Sequence, residues 1–179
     1  KKKVVVVGGG PAGMEAAMVA GKRGHEVHLF EEADRLGGQF YTASIPPSKG
    51  EIAGFIAWQK KQLADLKVPM HFNAELTEAI VNEQKPDAVV VATGSTPILP
   101  NLPGVKKENV VTAQEVLEGE KDVGLRVAVI GGGMVGSETA SHLANHGKEV
   151  SIVEMLPEIA ADVNARSRPF LLKDLAEHN

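Results

Sequence analysis

Two stretches of this 179-residue sequence are near-copies of each other: residues 4–31 read VVVVGGGPAGMEAAMVAGKRGHEVHLFE, and residues 127–154 read VAVIGGGMVGSETASHLANHGKEVSIVE. Aligned without gaps at an offset of 123 residues, they are identical at twelve of 28 positions. Each begins with a short apolar run, passes through three glycines into a helical pattern, and closes with a second apolar run and a glutamate. This order of strand, glycine-rich turn, helix, strand and acidic residue is the context that the dinucleotide fingerprint G-x-G-x-x-G requires. The repeat therefore predicts two dinucleotide-binding sites.

Each fingerprint position has its own physical role. The first glycine allows the tight turn from strand to helix, the second lets a diphosphate approach the backbone, and the third lets the helix pack against the strand. The helix N-terminus offers free N–H groups and partial positive charge to the diphosphate, and the terminal carboxylate accepts hydrogen bonds from a ribose. The cofactor-binding candidates on this basis are Gly8, Gly10, Pro11, Ala12, Gly13 and Glu31 in the first copy, and Gly131, Gly133, Met134, Val135, Gly136 and Glu154 in the second.

Composition excludes several other classes of protein. The formal net charge of −4 argues against a nucleic-acid binder. The absence of cysteine excludes a disulfide scaffold, a Cys-ligated metal site and a redox-active dithiol within the chain. No apolar run approaches the roughly 18 residues that cross a bilayer. We therefore expect no nucleic-acid or membrane partner, and a cytoplasmic location is compatible with the composition.

Hydrophobic periodicity predicts an α/β fold with parallel sheets. Besides the elements of the two copies, it predicts an amphipathic helix, several strands and a closing helix. A cluster of prolines, with Gly104, marks the boundary between one dinucleotide-binding domain at residues 1–95 and a second at residues 96–179. The other predicted elements are a loop at 31–48, the amphipathic helix at 49–67, strands at 68–72, 88–91 and 110–111, a helical turn at 112–117 and the closing helix at 168–178.

The sequence after the first copy resembles the FAD site of two-dinucleotide flavoproteins. Glu31 is followed by EADRLGGQ, as in the second half of the FAD fingerprint, and Ala92 is followed by Thr-Gly, as at the exit from the FAD domain. The resemblance implies that Glu31 holds the adenosine ribose. It also implies that the phosphates, ribityl chain and adenine contact Arg35, Gly38, Gln39, Leu76, Thr93 and Gly94. The alternative is that the glycine pair is only a flexible loop and Arg35 a solvated cation.

The second copy lacks such a glycine pair, which favours a nicotinamide dinucleotide. Glu154 would repel a 2′-phosphate, and no Arg or Lys lies between Lys148 and Arg166 to accept one. A free 2′-hydroxyl can instead donate to Glu154, so the sequence favours NADH over NADPH. Arg166 or Arg168 folding back onto the site would reverse this preference.

The whole order of motifs resembles the C-terminal portion of bacterial NADH:flavin oxidoreductases. These are flavoproteins of the old-yellow-enzyme, 2,4-dienoyl-CoA reductase, 2-enoate reductase and trimethylamine dehydrogenase type, and the stretches VIGGGMVG and LGGQF carry the likeness. The resemblance implies that hydride passes from NADH to FAD. Electrons would then pass to an upstream barrel of the same polypeptide that holds FMN and a [4Fe–4S] cluster and is absent from this chain.

The resemblance also bears on catalytic residues, on the completeness of the second module and on rival functions. Because cofactors carry hydride chemistry, we nominate no catalytic side chain and no metal ligand. The second Rossmann-like module is expected to be truncated, so that the chain alone binds cofactor weakly and is inactive. Two rival functions stay open: a non-catalytic module whose first site holds only ADP, and a scaffold whose sites are empty.

Overall fold

The computed structural model describes residues 1–178, so Asn179, the last residue of the predicted second domain, lies outside the described residues. The chain forms two compact units. The first comprises Lys1–Ser44 and Gly50–Thr96, and the second comprises Ile45–Lys49 and the chain from Pro97 onward. The division into functional domains at residues 1–95 and 96–179 stays a prediction. In the described part of the chain, no helix is long and apolar enough to cross a bilayer.

The first unit contains a four-stranded parallel sheet. Its strands are β1 (Lys3–Val7), β2 (Glu26–Phe30), β3 (Met70–His71) and β4 (Ala88–Val91). They lie in the order β3-β2-β1-β4, with β1 paired to β2 and β4 on either side. Central β1 consists largely of valines and is mostly buried, as expected for a parallel sheet covered by helices.

The helices of the first unit are α1 (Pro11–Lys22), α2 (Gln39–Ala43), α3 (Gly50–Asp65) and α4 (Glu78–Gln84). Helices α1 and α3 pack together and form the core of this unit with the sheet. The apolar side chains of α1 face the valines of β1, and the buried side chains of α3 complete the same cluster. The buried core residues are Val4, Val6, Met14, Ala17, Met18, Val27, Leu29, Leu36, Ile56, Leu63 and Val68.

The second unit repeats the strand–helix–strand arrangement. Its elements are α5 (Ala113–Leu117), β5 (Arg126–Ile130), α6 (Met134–Asn145), β6 (Glu149–Val153) and α7 (Arg168–Glu177). Strands β5 and β6 are parallel, and α6 packs on both strands and on α7. The predicted α/β class with parallel sheets and Rossmann-like modules is confirmed.

The structure differs from the sequence prediction in four places. The predicted loop at 31–48 contains α2, and α4 was not predicted; both are too short to show a helical period, and α4 depends on the Thr77 hydroxyl accepting from the Ile80 N–H. No strand forms at Val110–Val111, because the Val110 N–H closes a turn onto the Lys107 carbonyl. The strand predicted at 68–72 shrinks to Met70–His71, because the Val68 N–H bonds back to α3 and Pro69 has no N–H.

Candidate functional site

The first fingerprint glycine makes the same turn in both units. Gly8 and Gly131 each have a φ of +99°, a conformation that L side chains rarely adopt. The Gly8 N–H donates to the Phe30 carbonyl at 2.8 Å, and the Gly131 N–H donates to the Val153 carbonyl at 2.9 Å. The turn therefore follows directly from the parallel pairing of the two strands.

The third fingerprint glycine lies against the turn with no room for a side chain. A Cβ on Gly13 would lie 1.8 Å from the Gly8 carbonyl oxygen, and a Cβ on Gly136 would lie 1.8 Å from the Gly131 carbonyl oxygen. Contacts this short do not occur, so both positions require glycine. Each helix consequently begins directly on its turn.

The second fingerprint glycine leaves open space in the first unit. The nearest heavy atom to a Cβ built on Gly10 is the Gly38 Cα, at 4.0 Å. A Cβ on Gly38 would lie 3.0 Å from the Gly10 Cα, so these glycines present bare backbone to each other. Gly10 also provides no side-chain cap for α1, whose first residue is Pro11. This cradle at a helix N-terminus fits a diphosphate.

The terminal glutamates occupy matching positions beside the turns. In the first unit, Glu31 is 8% exposed, and its two carboxylate oxygens accept from the N–H groups of Gly9 (2.5 Å) and Ala33 (2.8 Å). In the second, Glu154 accepts from the N–H groups of Gly132 (2.7 Å) and Leu156 (2.8 Å). A carboxylate has about four acceptor sites, so each glutamate can still accept from ribose hydroxyls.

The backbone donors keep Glu154 ionised. The Leu156 N–H makes the largest contribution to lowering its pKa, followed by the Gly132 N–H, while burial opposes both. Hydrogen bonds to the charged form favour that form. An ionised carboxylate therefore stands where the second fingerprint predicts a ribose.

Gln39 connects the glycine pair to the end of β4. Its side-chain amide donates to the Ser95 carbonyl at 2.7 Å and to the Ser95 hydroxyl at 2.9 Å. Thr93 and Gly94, immediately before Ser95, lie at the fingerprint turn, because a Cβ on Gly8 would lie 3.1 Å from the Thr93 Cα. The structure thus brings Gly38, Gln39, Thr93 and Gly94 to one end of the sheet.

The loops that carry Arg35 and Leu76 are joined by backbone hydrogen bonds near Glu31. The Arg35 guanidinium is 3.3 Å from an Asp34 carboxylate oxygen and 4.3 Å from the centre of the Tyr41 ring. Leu76 follows Ala74, whose N–H donates to the Glu31 carbonyl at 3.0 Å. Contacts of Arg35 with phosphates and of Leu76 with adenine stay predictions.

Sequence reasoning missed several residues that support the turns. Leu36 is 2% exposed and lies against Gly9, where a Cβ would meet it at 2.4 Å. In the second unit, Ile159 occupies the corresponding place against Gly132, and the buried Ser137 hydroxyl donates to the Gly132 carbonyl. Leu36 and Ile159 are 123 residues apart, the offset of the repeat, so extending the alignment beyond Glu154 would have found this pair.

Comparison with known proteins identifies the family. The family model described as pyridine nucleotide-disulphide oxidoreductase matches residues 2–179. The chain belongs to this family. It is 47% identical over 172 residues to an NADH oxidase of Thermoanaerobacter brockii, covering 94% of this chain and 26% of that protein. It is 43% identical over 178 residues to a bilirubin reductase of Mediterraneibacter gnavus, covering 99% and 28%.

A solved structure agrees with this assignment. A 2-naphthoyl-CoA reductase in complex with 2-naphthoyl-CoA matches with a TM-score of 0.96 and 35% identity, covering 100% of this chain and 27% of that one. The predicted resemblance to NADH:flavin oxidoreductases of the 2,4-dienoyl-CoA reductase type is confirmed. The chain spans about a quarter of the length of the curated relatives it matches, 26% and 28% for the two above. Family membership supports FAD and NAD(H) as cofactors.

Proposed function

We propose that the chain is the NADH-to-FAD hydride-transfer module of a larger flavoprotein. The observation that carries this proposal is the duplicated geometry: two glycine turns with equal φ values, each beside a carboxylate held by two backbone N–H groups. One such turn would bind one nucleotide. Hydride transfer between two dinucleotides needs one site for the donor and one for the acceptor, and the two turns would supply both. The bound cofactors supply the redox chemistry, which is hydride transfer from nicotinamide to flavin.

In the first unit, the residues present fit FAD. The bare backbone of Gly10 and Gly38 leaves room for a diphosphate, and Glu31 offers its remaining acceptor sites to the adenosine ribose. Gln39 and Ser95 tie the glycine pair to the end of β4, which fixes the width of this cradle. The role of these residues is to bind and orient the cofactor.

In the second unit, Glu154 supports NADH over NADPH. Its ionised carboxylate would repel a 2′-phosphate and accept from a 2′-hydroxyl. Arg168, one of the two cations able to reverse this preference, donates to Glu158 at 2.7 Å and to the Ile159 carbonyl at 3.0 Å. These bonds tie Arg168, the first residue of α7, to the loop that carries Glu158 and Ile159.

Electrons would leave this module for an FMN and iron–sulfur barrel in the same polypeptide. The support is the share of the relatives that this chain covers, about a quarter, together with their names as oxidases and reductases. The chain contains no cysteine, so it has no dithiol of its own to serve as the acceptor. The alternative proposal is a non-catalytic module whose first site holds only ADP.

Identification of the nucleotide released from the purified holoprotein separates these functions. FAD released in proportion to the protein, by absorbance and mass, supports the hydride-transfer module. ADP released without FAD would contradict it and favour the nucleotide-binding alternative. Side-by-side titration with NADH and NADPH then tests Glu154, because tighter binding of NADPH would contradict the assigned preference.

A further inference from the structure

A carboxylate lies at the N-terminus of the second fingerprint helix. Asp162 Oδ1 accepts from the N–H of Met134, the first residue of α6, at 2.7 Å. A Cβ built on Gly133 would lie 3.2 Å from Asp162 Oδ2 and 3.4 Å from Oδ1. Asp162 therefore faces the second fingerprint glycine, at the position where a diphosphate approaches the backbone of such a turn.

The loop that carries Asp162 is the structural counterpart of the glycine-pair loop in the first unit. The Gly37 N–H donates to the Gly9 carbonyl at 2.9 Å, and the Ala160 N–H donates to the Gly132 carbonyl at 2.6 Å. Both donors have positive φ, +129° for Gly37 and +53° for Ala160. The two bonds are related by the 123-residue offset, so the repeat continues in three dimensions beyond the two fingerprints.

The two loops differ in charge at the position that faces the helix. The counterpart of Asp162 is Gln39, which is neutral and whose side chain is bonded to Ser95. The counterpart of Met134 is Pro11, which has no N–H to attract a carboxylate. The position that carries a carboxylate in the second unit therefore carries a neutral amide in the first.

Resting on the proposed function, we propose that Asp162 sets the affinity of the second unit for NADH by competing with the diphosphate for the N-terminus of α6. A helix N-terminus favours negative charge, and it favours the Asp162 carboxylate as well as the diphosphate. Binding of the dinucleotide must therefore break the Asp162–Met134 bond and oppose the charge of Asp162. This competition weakens binding, as suits a reductant that must leave after each turnover, while the matching position of the first site is the neutral Gln39.

Equilibrium titration with NADH, followed by its fluorescence, tests this inference on the full chain. Asp162→Asn retains a carbonyl oxygen for the Met134 N–H and removes the charge, and Asp162→Ala removes both. We expect each variant to bind NADH about tenfold more tightly than the unchanged chain, the size of effect expected for one charged hydrogen bond. Glu149→Gln is the matched control, because it removes one exposed carboxylate at the start of β6, the strand end remote from Glu154.

The outcomes separate this inference from the proposed function. Tighter binding by both Asp162 variants, with unchanged binding by Glu149→Gln, supports the competition. If the unchanged chain binds NADH and both Asp162 variants bind it with equal or lower affinity, the inference is overturned and the proposed function stays intact. Absence of NADH binding in every form overturns both. Thermal melting adds a check on folding, since a merely structural cap would lower the melting temperature on removal without raising the affinity.

Discussion

Substitution of Gly13 by alanine tests the packing of the first fingerprint helix on its turn. The new Cβ would lie 1.8 Å from the Gly8 carbonyl oxygen and 3.4 Å from the Ala92 Cβ. Because real Cβ contacts stay beyond 3.0 Å, α1 or the turn must move by at least about 1 Å. The turn is also bonded to β2 through the Gly8 N–H, so this movement disturbs the parallel sheet.

The expected loss of stability can be estimated from two opposing effects. Overpacking of a tight contact costs roughly 1–3 kcal/mol, and the strained turn places this case at the upper end. Alanine in a helix gains about 1 kcal/mol over glycine. The net change is a loss of about 2 kcal/mol, which lowers the melting temperature by roughly 4–8 °C in a protein of this size.

Gly54→Ala is the matched control for this substitution. Gly54 lies in the exposed interior of α3, and a Cβ built on it meets nothing within 4 Å. The same change of residue should therefore raise the melting temperature, by roughly 1–4 °C for a gain of about 0.5–1 kcal/mol. Thermal unfolding followed by circular dichroism measures both variants. A melting temperature of Gly13→Ala equal to or above that of the unchanged chain would refute the assigned close packing.

Two further predictions concern the second unit. The pKa of Glu154 is lowered in the folded state, so its bonds to the N–H groups of Leu156 and Gly132 stabilise the fold above the ordinary carboxyl pKa of about 4.5 and lose this effect as the pH falls through the lowered value. Urea unfolding at neutral and acidic pH should therefore show less loss of stability on acidification for Glu154→Gln than for the unchanged chain, and equal losses would contradict the assignment. Thr112→Ala removes the capping box of α5, in which the hydroxyl accepts from the Glu115 N–H, and should lower the free energy of unfolding by about 1 kcal/mol. Denaturant unfolding measures this change, and an unaltered midpoint would show that the cap contributes nothing.

The fingerprint turns could be predicted from sequence because each glycine answers a local steric requirement. Gly8 has a positive φ, and a Cβ on Gly13 would lie 1.8 Å from the Gly8 carbonyl oxygen, so both positions favour glycine and the motif is visible in the sequence. The terminal glutamates follow for the same reason, since each closes a bond to the backbone of its own turn. The two glycine turns and the positions of their glutamates could therefore be predicted from the sequence alone.

The loop of the second unit could not be predicted in this way. Ala160 takes a positive φ although it is not glycine, and it is fully buried, so tertiary packing imposes a conformation that the residue does not prefer. Residues 159–162 of this loop read IAAD, and the matching residues 36–39 read LGGQ, so no position is identical. The 123-residue offset pairs Asp162 with Gln39, but the two residues differ in chemistry, so the alignment alone does not predict a role for Asp162; the bond from the Ala160 N–H to the Gly132 carbonyl shows that the two loops are structurally equivalent.

The edge strand β4 shows a second limit of sequence reasoning. Its valines predict the strand, but not that Val91 is 73% exposed in the structure. This exposure depends on the position of β4 in the sheet, which is set by its pairing with β1 some 80 residues earlier in the chain. No local pattern in the sequence of β4 indicates that position.

Anaerobic addition of NADH to the FAD-loaded holoprotein tests the central claim most directly. Any FMN is removed beforehand, so that the visible absorption band reports on the flavin of this module alone. NADH is expected to bleach the band, and to do so faster than NADPH, because the carboxylate of Glu154 accepts a 2′-hydroxyl and repels a 2′-phosphate. A flavin band that stays oxidised in the presence of NADH would contradict the account.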